Sequence, residues 1–150
     1  MVTYFLKFVL IASLVVSDDI PLSMEEKAIA ACESGDTQSI NSIDWQAVNV
    51  NNDKTIDTGA FQFNSYWVWN PNDIWIMRHV IKKTNLTTKQ FFAKYPHAKD
   101  APPSIQRLTF AVLWDDGYGW QHWSASRKCW SKWLKINKNN QAVVREQYNE

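Results

Sequence analysis

An excess of charge of either sign is almost absent from this sequence. Its 16 basic and 15 acidic residues leave a formal net charge of +1. A chain so balanced has no electrostatic footprint for nucleic acid, which needs a strongly basic face. Histidine is scarce as well: His79, His97 and His122 lie far apart and follow no zinc-ligand spacing. Each reads as an ordinary surface or boundary residue, so no metal and no cofactor is expected. The run NVNNDKTIDTGA does carry oxygen-bearing side chains at alternate positions, as a calcium loop does. Lys54 occupies the place where such a loop needs glycine, and Ala60 the place of its bidentate glutamate. There is no Walker A motif, no dinucleotide glycine fingerprint and no serine in a nucleophile elbow. Internal repeats and low-complexity tracts are missing too. There are only two cysteines, and no apolar run approaches the roughly 20 residues that span a bilayer.

What is present is apolar bulk and tryptophan. With 150 residues and 45% apolar content, the chain suits one compact domain with a real core. Nine tryptophans are abnormal. Tryptophan serves as a large core filler or as a flat platform for apolar ligand faces, sugar rings included. The first 17 residues, MVTYFLKFVLIASLVVS, differ from the rest. Their apolar run from Phe8 to Val16 after Lys7 has the length of a signal-peptide core rather than a spanning helix. Val15 and Ser17 suit the flanking positions of a cut before Asp18. Residues 1–17 therefore read as a signal peptide or an N-terminal membrane anchor acting through residues 4–17, with a buried N-terminal helix as the alternative. Export would place the two cysteines under oxidising conditions, where they can pair. The expected location is secreted, periplasmic or at the cell surface.

Periodicity divides the remainder into a domain over 18–135 and a polar C-terminal tail over 136–150. Ser23 and Glu26 have capping-box spacing. Met24, Ala28, Ile29 and Cys32 then repeat at helical spacing up to a stop at Gly35, which puts Glu33 in the last turn of a short helix. AVNVNNDKTIDTGAFQFNSYW contains two extended runs around NNDK, read as a small antiparallel sheet or hairpin. Gly59 within the second run marks a close backbone approach or a bulge. NDIWIMRHVIKKT and TTKQFFAKY read as helices, the second ended by Pro96. SIQRLTFAVLWDDG reads as an amphipathic helix with Ser104 as cap and Gly117 as stop. GYGWQHWSASRKCW reads as a loop leading to a last helix near CWSKWLKI, and the tail after Lys135 as loose or helical. The fold class is α+β, mostly helical with one small sheet.

Three groups carry the candidate chemistry. Cys32 as a nucleophile would need a histidine base, and no local motif supplies one. A Cys32–Cys129 disulfide is the plainer reading. It closes a loop of roughly 100 residues, worth about 4–5 kcal/mol in the chain-entropy model, and ties the Trp-rich loop to the turn that carries Glu33. Glu33 could be a solvated helix-end carboxylate. Its apolar or small neighbours and its place at a helix C-terminus instead favour a raised pKa, which a general acid needs. Asp57 has the opposite setting, among Asn51, Asn52, Thr55, Thr58 and Asn64, where hydrogen bonding favours the carboxylate. Two carboxyl groups in contrasting settings suit glycosidic bond cleavage.

IAACESGD followed by NVNNDKTIDTGAFQFNSYW resembles the lysozyme-like superfamily, in particular the soluble lytic transglycosylase domain and the resuscitation-promoting factors. The family pattern is a helix ending in Glu-Ser, a turn, then a run of the type Gly-x-x-Gln-x-Asn, here Gly59 to Asn64. The cysteine before Glu33 and the later Trp/Cys segment look most like the resuscitation-promoting factors. NNDKTIDTGAFQFNS also looks like the β-hairpin of animal-type lysozymes, with Asp57 at the place of their second catalytic carboxylate. The likeness is clear over 29–67 and weaker over 105–130, and it rests on helix content alone over 70–103. The Ala-Tyr-Asn segment of many lytic transglycosylases is absent.

The resemblance implies a lysozyme-like fold and cleavage of the β-1,4 bond between N-acetylmuramic acid and N-acetylglucosamine in peptidoglycan, whose glycan strands would be the partner of a monomer. Glu33 would be the general acid. In a lytic transglycosylase it would then take the proton of the muramic C6 hydroxyl, giving a 1,6-anhydro product. In a lysozyme-type muramidase Asp57 would act as second carboxylate and water would finish the reaction. Gln62 and Asn64 would bond the sugar or position Glu33, and Asn51 would orient Asp57. Tyr118, Trp120 and Trp123 would stack on sugar rings, whereas Trp114 and Trp130 read as core. A non-catalytic peptidoglycan-binding surface module is the alternative from another class.

Overall fold

A computed structural model describes residues 20–116, 118–136 and 142–144. The expected leader at 1–17, the expected stop at Gly117 and most of the tail lie outside the described residues. Helix α1 spans Met24–Glu33 and opens on the expected capping box: Glu26 N–H donates to Ser23 Oγ at 3.1 Å, and Ser23 N–H to Glu26 Oε2 at 2.7 Å. Its buried face is Ala28, Ile29, Ala30 and Ala31, small enough for other elements to come close. Gly35 follows the cap, but for a different reason from the left-handed stop that its place predicts. A Cβ there would fall 1.7 Å from the Ser42 carbonyl oxygen, so glycine is needed where the chain doubles back.

Strands β1 (Val48–Val50), β2 (Ile56–Thr58) and β3 (Phe63–Asn64) form an antiparallel sheet in that order. The β1–β2 turn is built by Asp53, whose Oδ1 accepts from the N–H and the hydroxyl of Thr55 at 3.0 and 2.7 Å, with Lys54 at φ +69°. The register sets Asn49 and Asn64 on either side of Asp57. Gly59 stands at φ +80°, and a Cβ there would lie 2.4 Å from Gln106 Oε1. The glycine therefore serves a close approach as well as a left-handed turn.

Helix α2 is Met77–Ile81, shorter than NDIWIMRHVIKKT predicts. Asn70 and Asp73 accept the N–H groups of Asn72 and Trp75 and so draw the preceding backbone into turns. Helix α3 (Thr88–Lys94) starts at a Thr87/Gln90 capping box. Helix α4 (Pro103–Asp115) begins one residue before the expected Ser104 cap, with Pro103 in its first turn, where a missing N–H costs nothing. The predicted Gly/Trp loop is 3₁₀-helical over Gly119–Ser126 with a kink at Trp123 (φ −116°, ψ 31°), and α5 (Arg127–Trp130) follows. The predicted helix at CWSKWLKI ends there. Leu134–Ile136 is strand β4 and pairs antiparallel with β5 (Ala142–Val144), so the described part of the tail is extended rather than helical.

The fold is α+β, mostly helical. Its core is aromatic: Phe61 packs on Phe110 at 4.7 Å between ring centroids, and Phe110 on Trp123 at 4.9 Å. Two buried polar residues of α4 hold the parts together. Arg107 grips Glu26 at 2.7 and 3.1 Å and also donates to the Ile20 and Pro21 carbonyls. Gln106 accepts the Ala60 N–H at 2.9 Å and donates to the carbonyls of Trp45 and Ala101. The first clamps α1 to α4 and the second hangs the sheet on α4.

Candidate active site

A cleft of about 430 Å³ opens between the end of α1 and the sheet, lined by Glu33, Asp44, Val48, Asn49, Asp57 and Gln62 among others. Glu33 ends α1, and three neighbours fix its place. Cys32 is bonded to Cys129, with Cα atoms 5.8 Å apart, as the sequence predicts. Ser34 donates its hydroxyl to the Ala30 carbonyl and accepts the Asp44 N–H. Ser126, at the end of the 3₁₀ helix, puts its hydroxyl against Glu33 Oε1. The Glu33 carboxyl is held above its ordinary value of 4.5, chiefly by burial and further by the charge of Asp57, while the hydrogen bond with Ser126 pulls the other way. The upward direction agrees with the expectation from sequence, and the leading cause is loss of water.

Asp57 is held by amides. Asn51 Nδ2 donates to its Oδ2 at 2.9 Å and Asn64 Nδ2 to its Oδ1 at 2.7 Å. Both amides also donate to Thr55 Oγ1, which ties the two Asn side chains across the sheet. Asn51 thus stands where an orienting residue would. Asn64 is committed to Asp57, and its Oδ1 accepts the N–H groups of Tyr66 and Trp67. It is therefore not open to a sugar, unlike one of the roles expected for it. Gln62 lines the cleft with its backbone at φ +51°, rare for a side-chain-bearing residue and typical of functional positions. Its Nε2 donates to the Gly59 carbonyl at 3.0 Å.

The expected aromatic platforms fare differently. Trp123 is 5% exposed and donates its indole N–H to the Phe61 carbonyl. It is core, and burial removes it from any sugar-stacking role. Trp120 is half-buried, with its ring against Trp130 and Arg127 over it. Tyr118 is 63% exposed, with its ring against His122, and it does not line the cleft. Trp114 and Trp130 pack in or against the core, as expected of them. The exposed aromatics beside the sheet are Tyr66 and Trp67, directly after β3, with Trp67 at 72%. Sequence reading did not single them out, although their position two and three residues beyond Asn64 was the available signal. It also missed Asp44 and Ser126. Ser126 lies 93 residues from Glu33, and no local pattern connects the two.

Among the described residues no group of His, Cys, Asp and Glu could hold a metal ion. Compared with protein-family models, with curated proteins and with solved structures, the chain matches none.

Proposed function

We propose that this protein cleaves the β-1,4 glycan bond of peptidoglycan with Glu33 as general acid. One observation carries the reading: a desolvated carboxyl at a helix end shares an open cleft with a second carboxylate held by two amides. Glu33 keeps a proton to higher pH than an exposed glutamate, and that proton goes to the leaving oxygen. The reaction then ends in one of two ways. As a lytic transglycosylase, the outcome that the sequence resemblance ranks first, Glu33 recovers the proton from the muramic C6 hydroxyl and a 1,6-anhydro end forms. As a lysozyme-type muramidase, Asp57 stabilises or traps the anomeric carbon and water completes the step. The double amide hold on Asp57 favours the second ending, because it fixes both oxygens of a group that a transglycosylase does not need. Gln62, which lines the cleft, contacts the sugar.

A disulfide fits an oxidising compartment outside the cytoplasm, consistent with a secreted, periplasmic or cell-surface protein. No described helix is long and apolar enough to cross a membrane.

Digestion of purified peptidoglycan, with products identified by mass spectrometry, tests the proposal. Glu33→Gln is expected to lower cleavage by about 100-fold or more while the fold is kept. Asp57→Asn separates the endings: collapse of activity with reducing-end products supports the two-carboxylate route, and retained activity with anhydro ends supports transglycosylation. A parent protein that binds glycan and releases no fragment would mean a binding module instead.

A further inference from the structure

Ser126 stands at the cap position of α5, where a serine usually accepts an N–H of its own helix. It makes no such bond. Its hydroxyl lies between two oxygens instead, Glu33 Oε1 and the Trp123 carbonyl, the latter at 3.1 Å. A hydroxyl owns one proton. The carbonyl owns none, and it already accepts the Trp130 indole N–H at 2.9 Å. Both contacts of Ser126 are hydrogen bonds at once in one arrangement only. Glu33 donates its acid proton to Ser126 Oγ, and Ser126 donates its own to Trp123 O. When Glu33 is ionised, the Ser126 proton turns to the carboxylate, and the Trp123 carbonyl keeps the bond from Trp130. No heavy atom has to move between the two states.

We propose that Ser126 is a positioning residue that holds the Glu33 carboxyl in one place in both of its protonation states. Other partners would not do this. An arginine, as Arg107 is to Glu26 at the start of the same helix, favours the ionised form alone. A backbone N–H only donates and a carbonyl only accepts. A group that gives up a proton and later takes one back needs a partner able to do both. The contact is also braced covalently, since Glu33 follows Cys32 and Ser126 precedes Cys129 by three residues. The other charged groups of the cleft are Asp57 and Asp44. On the α5 side, Arg127 is engaged over the Trp120 ring.

The proposal rests on Glu33 being the acid, and its test is separable from that reading. The Glu33 side-chain carboxyl is titrated by carbon NMR in the parent, Ser126→Ala and Ser126→Thr, alongside the pH dependence of peptidoglycan cleavage. In Ser126→Ala the Glu33 titration is expected to move upward, because the donor to the carboxylate is gone. Turnover is expected to fall about 10-fold with KM unchanged. Ser126→Thr, which keeps the hydroxyl, restores both. Parent-like turnover in Ser126→Ala, together with parent-like Glu33 carboxyl chemical shifts at both ends of the titration and in a variant that melts as the parent does, overturns the proposal even if Glu33→Gln abolishes cleavage. Glu33 carboxyl shifts that change at both ends of the titration in a protein without cleavage activity uphold the role of Ser126 and remove the glycan-cleaving reading instead.

Discussion

The two walls of the cleft hold the same functional group by opposite means. On the helical wall, Glu33 sits at the C-terminal end of α1, half-buried and facing the Ser126 hydroxyl. On the sheet wall, Asp57 has an amide N–H on each oxygen. Helix α1 repeats the contrast along its own length. Glu26 at its start is buried against Arg107 and caps the helix, where the helix dipole favours a negative charge. Glu33 at its end has no ion-pair partner among the described residues and no favourable dipole. One side chain type is thus a fastener at one end of a helix and a candidate acid at the other, and the surroundings alone make the difference.

The largest expected effect comes from unfastening the helical wall. Replacing both Cys32 and Cys129 by serine should cost about 4–5 kcal/mol in the chain-entropy model, read as a lower midpoint in denaturant. With the braced segments free to part, water reaches Glu33 and its titration falls back toward the ordinary value. Amide exchange in β2 should stay slow. Equal loosening of β2 would show that the walls are one unit and would break the comparison.

A middle-sized effect is expected from the sheet wall. Gln106→Leu leaves the Ala60 N–H and the carbonyls of Trp45 and Ala101 without the partner they have now. Buried groups so orphaned cost about 2–4 kcal/mol together, measured by urea unfolding. Here the damage should reverse: β2 amides exchange faster, while the disulfide keeps Glu33 near its present titration.

The smallest effect sharpens the contrast by charge alone. Because the folded-state pKa of Glu33 is raised, the folded protein holds that proton more tightly than the unfolded chain. The stability this supplies is present below the ordinary value of 4.5 and is lost as pH rises through the folded-state value. Glu33→Gln should therefore melt above the parent at neutral pH, with the gain vanishing below pH 4.5. Equal melting at both pH values would show that the carboxyl carries no burial strain.

Short-range features were readable from residue spacing. The Ser23/Glu26 box, the setting of Glu33, the hairpin around NNDK and the proximity of Asn51 to Asp57 all lie within a few positions of each other. Helix and strand geometry alone brings them together. The Cys32–Cys129 pair was readable because only two cysteines exist to pair. Trp120 and Trp123 show where spacing fails. Both belong to the same Gly/Trp-rich stretch, and the side of the 3₁₀ helix that faces Phe110 decides which one is core. Local polarity does not encode that choice. The tail fails similarly, because Leu134–Ile136 becomes a strand only by pairing with Ala142–Val144.

The sequence by itself determined two carboxyl groups of contrasting local character, the disulfide and a mainly helical α+β fold. Each follows from residue type and spacing within one or two turns of chain, or from a count of thiols. Tertiary structure alone decided what stands against those carboxyl groups: the Ser126 hydroxyl on Glu33, the Gln106 amide behind the sheet, and the burial of Trp123. Those contacts join residues 46 to 93 positions apart. At such separations it is the packing of α4 and the 3₁₀ helix, rather than local backbone preference, that chooses the partner.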